Sequence, residues 1–73
     1  MFKQMNEEKL NISTRKFLKN VGVNSQRIIE TSIRDAVDSK KIISTKNVNV
    51  VMSLKIEDLD VGEKIEGVIE VEI

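Results

Sequence analysis

The feature that most constrains this chain is the run from Val48 to Ile73, where two alternating segments choose their own faces. In residues 48–57 the apolar side chains fall on even positions, Val48, Val50, Met52, Leu54 and Ile56, and polar ones take all the odd positions but one. Strict alternation is the mark of a half-buried strand. From Lys64 to Ile73 the parity reverses, with Ile65, Ile69, Val71 and Ile73 on one side and Lys64, Glu66, Glu70 and Glu72 on the other. An antiparallel hairpin that matches these faces must pair an even position with an odd one, because a slip of one residue turns a strand inside out. Charge then selects among the permitted registers. One sets Lys55 opposite Glu66 and Glu57 opposite Lys64, whereas its neighbours set Glu57 against Glu66 or Lys55 against Lys64. Such pairs are worth about 0.2 to 1 kcal/mol each, and like charges are penalised, so the first is expected. It stacks Met52 on Ile69 and places Gly67 opposite Leu54.

The apolar face of this hairpin needs a cover, and the preceding residues offer helices. Asn6 can cap a helix whose first turn carries Glu7 and Glu8, both favourable at the positive end of the dipole. Leu10, Thr14, Phe17, Leu18 and Val21 form a stripe, with Arg15, Lys16 and Lys19 off it. Only Ile12 is out of place. The run Val21-Gly22-Val23-Asn24 then reads as a stop and a restart. Gly22 suits the left-handed position past a helix end, Val23 packs back on Leu18, and Asn24 caps a second helix with Val23 stapled to Ile28. That helix buries Ile29, Ile33, Ala36 and Val37 and closes near Lys40 and Lys41. Its outer face carries Arg27, Glu30, Arg34 and Asp38 at spacings of three or four with alternating sign, as on an ordinary solvated helix.

The expected fold is therefore α+β, with two N-terminal helices (about 7–21 and 25–40) packed on a C-terminal antiparallel β-hairpin (about 48–57 and 64–73). Residues 1–5 read as a loosely held tail and 6–73 as one small domain. A chain of 73 residues buries only about 60 to 65% of its unfolded surface, so stability is expected to be slight. No apolar run approaches the roughly 20 residues a bilayer requires, which points to a protein without a membrane span. There is no cysteine and no sign of a leader sequence, so the cytoplasm is the expected compartment. Net charge is zero but unevenly spread. Residues 1–47 hold ten basic and five acidic side chains, residues 48–73 two and seven.

The absence of His and Cys removes the commonest general base, thiol nucleophiles and nitrogen or sulfur metal sites. Glu66, Glu70 and Glu72 share a strand face without a pocket, so they read as solubilising charge. Asp58-Leu59-Asp60-Val61-Gly62 resembles a calcium loop only at its start, since the sixth position is Glu63 and the twelfth Ile69. No catalytic, cofactor or metal residues are assigned. What remains is binding: a non-enzymatic interaction domain that presents a surface to a protein partner or to itself. A homodimer through the hairpin would use Val51, Val68 and Gly67, an apolar spot among acidic neighbours. The alternative is a weak nucleic-acid binder with a winged helix-turn-helix outline, whose contacts would be Asn24, Gln26, Arg27 and Arg34. Against it stand the acid on the second helix and the acidic hairpin, which phosphate would repel.

A resemblance spans nearly all the chain after Met5. Asn6-Glu7-Glu8, Arg15-Lys16-Phe17-Leu18-Lys19, Val21-Gly22-Val23, Ser25-Gln26 and Ile29-Glu30, followed by Met52-x-Leu54-x-Ile56 and Ile65-x-Gly67-x-Ile69-x-Val71, resemble a family of small, uncharacterised bacterial proteins of about this length. The matching positions are packing and turn positions. The resemblance implies a shared fold and a bacterial source, and no function.

Overall fold

One helix, not two, leads into the hairpin. The computed structural model describes residues 4–73, so part of the expected tail, residues 1–3, lies outside the described residues. The order is α1 (Glu7–Asp38), β1 (Lys46–Ile56), a 3-10 turn (Glu57–Leu59) and β2 (Val61–Val71). The chain divides into a helical unit ending at Ser39 and a hairpin unit beginning at Lys40.

The start of α1 follows the sequence closely. The Asn6 side chain accepts the Lys9 backbone N–H at 3.0 Å, and Glu7 and Glu8 occupy the first turn. This satisfies one of the amides that a helix start otherwise leaves open. The expected break at Val21-Gly22-Val23-Asn24 does not occur. The helix runs through it, and Gly22 has no positive φ. Glycine inside a helix costs about 1 kcal/mol relative to alanine, a weakening and not a stop, and no proline is present to end the hydrogen-bond ladder. In-phase spacing carries the helix across. The steps Leu10, Thr14, Leu18, Val21, Ser25, Ile29, Ser32 and Ala36 keep to one side of a continuous helix, and Ser25 bridges what otherwise reads as two stripes. Val23, expected to staple two helix ends, lies off that stripe, and both it and Ile28 are exposed.

The C-terminus also differs from expectation. The helix closes at Asp38, where the Ser39 N–H donates to the Asp35 carbonyl at 2.9 Å, and Lys40 takes the left-handed conformation (φ 63°) usually filled by glycine. Lys40 and Lys41 therefore lie beyond the helix and not in its last turn.

The hairpin keeps the expected parity and loses the expected register. Even positions of β1 pair with odd positions of β2: Val48 with Ile69, Val50 with Gly67, Met52 with Ile65 and Ile56 with Val61. The pairing of Lys55 with Glu66 is replaced by Lys55 with Gly62 and Val51 with Glu66, and Gly67 faces Val50 instead of Leu54. The turn decides this. Four residues, Glu57 to Asp60, connect the strands, and Asp60 adopts φ 57° and ψ 36°, a left-handed conformation. A short turn of defined geometry fixes register for the whole ladder, and surface charge pairs of a few tenths of a kcal/mol do not oppose it. The strands consequently begin and end earlier than expected. At the open end, Thr45 Oγ1 accepts the Ile73 N–H at 3.0 Å and donates to the Ile73 carbonyl at 3.4 Å.

No described residue is buried. Phe17 and Leu18, expected in a core, are 59% and 54% exposed.

Candidate interaction surfaces

Three surfaces follow from these elements. The first is the stripe on α1. Between Leu10 and Ala36 its central positions carry no charge, and its length is about 40 Å at 1.5 Å per residue. Leu10, Phe17, Leu18 and Ile28 are exposed along it, while Val21, Ile29, Ile33 and Ala36 are half-buried. The opposite face is polar and partly tied down. Glu30 accepts hydrogen bonds from Gln26 Nε2 at 2.8 Å and from an Arg34 guanidinium nitrogen at 3.0 Å, an i−4, i, i+4 ladder. These two donors, Gln26 first and then Arg34, hold the Glu30 carboxyl below the usual carboxylate range.

The second surface is the even-parity face of the hairpin, where Val48, Val50 and Met52 on β1 and Ile65 and Ile69 on β2 lie side by side. All but Ile65, which is 60% exposed, are half-buried. The third is the reverse face. There Val51 and Val68 are diagonal neighbours across the ladder, 55% and 54% exposed, beside Gly67 and Glu66. The residues expected to form a self-association spot are thus brought together, in a patch of two valines flanked by Glu66 and Glu70.

The residues considered for nucleic acid fare differently. Asn24, Gln26, Arg27 and Arg34 sit in the interior of a continuous helix and not at the start of a recognition helix. Gln26 and Arg34 are engaged with Glu30, and Asn24 projects from the other side of the helix cylinder from Gln26, two residues being about 200° apart. The helix-turn-helix outline is therefore absent among the described residues. Among the described residues no group of His, Cys, Asp or Glu is placed to hold a metal ion. No helix among the described residues is long and apolar enough to cross a membrane.

The sequence reading missed the continuity of the helical stripe and the Thr45 clasp on Ile73. Ser25 carried the signal for the first, since it falls in phase with Val21 and Ile29 and is polar only by a hydroxyl. Thr45 next to a strand start was an available signal for the second.

A capped amphipathic helix followed by a two-stranded antiparallel hairpin, with apolar faces on both units, defines the class: a small α+β protein. The chain belongs to a family of unknown function (DUF6494), whose family model spans residues 5–72. No curated protein and no solved structure matches it.

Proposed function

We propose that this protein is a non-enzymatic interaction module that presents its apolar faces to a protein partner or to a second copy of itself. One observation carries the reading. The helix and the hairpin each present a charge-poor apolar face, yet no described residue reaches burial. Apolar surface left in water forgoes roughly 25 cal/mol for every Å² that could be covered, and contiguous apolar patches on small proteins commonly mark interaction sites. Catalysis has little support: the chain lacks His and Cys, and the hydrogen bonds from Gln26 and Arg34 move the Glu30 carboxyl downward, away from the range a general acid needs. A chain with no cysteine makes no use of disulfides, which suits the reducing cytoplasm as its place of action.

The test compares immobilised wild-type protein with a Phe17→Lys variant, the retained proteins being identified by mass spectrometry. Wild type is expected to retain a protein, its own chain included, that the variant loses. Equal recovery by both, or by neither, overturns the proposal.

A further inference from the structure

Beyond that reading, which concerns apolar faces, we propose that two copies of this chain pair edge to edge through β1, forming one four-stranded antiparallel sheet about a two-fold axis at Val51. The two edges of the hairpin are built differently. β1 runs for 11 residues without proline, and its ladder with β2 advances without a bulge. From Asn47 to Leu54 it carries no charge, and its two lysines, Lys46 and Lys55, stand near its ends. β2 carries Glu63, Lys64, Glu66 and Glu70 along its length and Gly67 inside it. Charge, proline and bulges are the means by which an exposed edge avoids a further strand, and the middle of β1 has none of them. Among the described residues each strand has only the other as neighbour, and the backbone hydrogen bonds formed outside the helix and the ladder are donated by Leu10, Ser39 and Asp60. None of these reaches the outer edge of β1. A two-stranded ladder is marginal by itself, so further strands stabilise it.

The sequence of β1 makes its own copy the strand that fits. Antiparallel pairing of β1 with itself keeps the faces only if even positions meet even ones. Full overlap of Lys46–Ile56 with its copy then sets Val48 against Leu54, Val50 against Met52, Asn49 against Ser53 and Val51 against itself. Apolar meets apolar and polar meets polar, except where Lys46 meets Ile56 at the ends. Val51, which breaks the alternation of β1 and is 55% exposed, falls on the axis, where its copy covers it, with each Val68 diagonal to it. The acids stay apart. Glu66 pairs with Val51 of its own hairpin, so the two Glu66 side chains are separated by three strand spacings, about 14 Å, beyond the roughly 8 Å screening length of physiological salt. Lys55 meets Asn47 of the other copy, whose own partner is Glu70, so Lys55 and that Glu70 share a face about 10 Å apart along the sheet, within reach of two long side chains. The β2 edge offers no such match. Full overlap of β2 with its copy sets Glu66 on Glu66, and the next register that keeps the faces shortens the overlap and brings Gly67 to the axis, where no side chain packs. Pairing β1 with β2 of another copy leaves a free edge at each end and does not close.

Because the chain has no cysteine, the edge in contact can be read directly. Residues paired across an antiparallel ladder have Cα atoms about 4.5 to 5.5 Å apart, within the span of a disulfide. Val51→Cys in the full-length chain is expected to oxidise to a covalent dimer, and Glu66→Cys, on β2, to remain largely uncross-linked. Sedimentation of wild type over the micromolar range is expected to show a dimer and nothing larger. Val51→Lys sets like charges on the axis and should weaken the dimer by about tenfold or more, while Glu66 opposite it in the same hairpin favours the folded ladder. Far-ultraviolet circular dichroism reports whether that variant keeps its fold. Preferential cross-linking through Glu66→Cys, assemblies that grow beyond the dimer, a wild-type monomer, or a dimer that folded Val51→Lys leaves intact each overturn the inference. Phe17 belongs to α1, so the reading of the apolar faces is judged separately. A monomer that still retains another protein through Phe17 overturns this inference alone, and a Val51-linked dimer that retains none leaves it standing while the reading of the faces fails.

Discussion

The helix and the hairpin are held together over different distances along the chain. In α1 every structural bond closes within four residues, from Asn6 capping Lys9 to Glu30 bracketed by Gln26 and Arg34. In the hairpin the bonds join residues as far apart as Thr45 and Ile73. A local element averages many weak preferences, so one adverse residue is tolerated, as Gly22 is. A non-local ladder is instead governed by a single decision at its turn, and every pair beyond inherits that decision. The contrast explains why one residue misread in the helix changed a boundary, while the short turn at Glu57–Asp60 shifted every cross-strand partner.

Gly22 offers the largest expected effect. Proline there removes a hydrogen bond and clashes with the preceding turn, at a cost of about 3 kcal/mol or more in a helix interior. Gly22→Pro is therefore expected to lower helical circular dichroism sharply. Alanine should do the reverse. The glycine has no positive φ and an added Cβ meets nothing within 4 Å, so Gly22→Ala should raise stability by about 0.5 to 1 kcal/mol. A lowered melting temperature for Gly22→Ala would restore the break that the sequence suggests.

Asn6→Ala comes next. Losing the bond to the Lys9 amide is expected to cost about 1 kcal/mol and to fray the first turn, which amide hydrogen exchange at Lys9 would register. Unchanged exchange there would mean that the cap contributes nothing to the helix.

The smallest effect sharpens the other side of the comparison. Lys55 and Glu66 are not cross-strand partners, so Lys55→Glu and Glu66→Lys should add independently in a double-mutant cycle, with coupling below about 0.2 kcal/mol. A measurable rescue in the double variant would put the register back where charge alone places it.

These cases also show what could be read from residues alone. The N-cap was legible because Asn6, Glu7 and Glu8 act within one turn. Strand parity was legible because alternation is a property of each strand by itself. The register was not, because it rests on Asp60 accepting a left-handed conformation, which its residue type permits but does not compel. Helix continuity was obscured by Gly22 and Asn24, two residues that favour helix ends but do not compel them. The candidate surface was half legible. Val51, Val68 and Gly67 do share one patch, whereas the longer stripe emerged only when the two expected helices joined.

The clasp of Thr45 on Ile73 gives the hairpin a property that strand pairing alone lacks. Two strands joined only at a turn form a fork, whose tips separate freely and open toward the bend like a zip. With a side chain bonded twice to a backbone 28 residues away, the fork becomes a ring, closed by the turn at one end and by a hydroxyl at the other. Opening such a ring means releasing an anchor first, so the ladder resists peeling from its loose end. The threonine hydroxyl is a fastening that modification or substitution of one residue could undo, leaving the turn and its register intact.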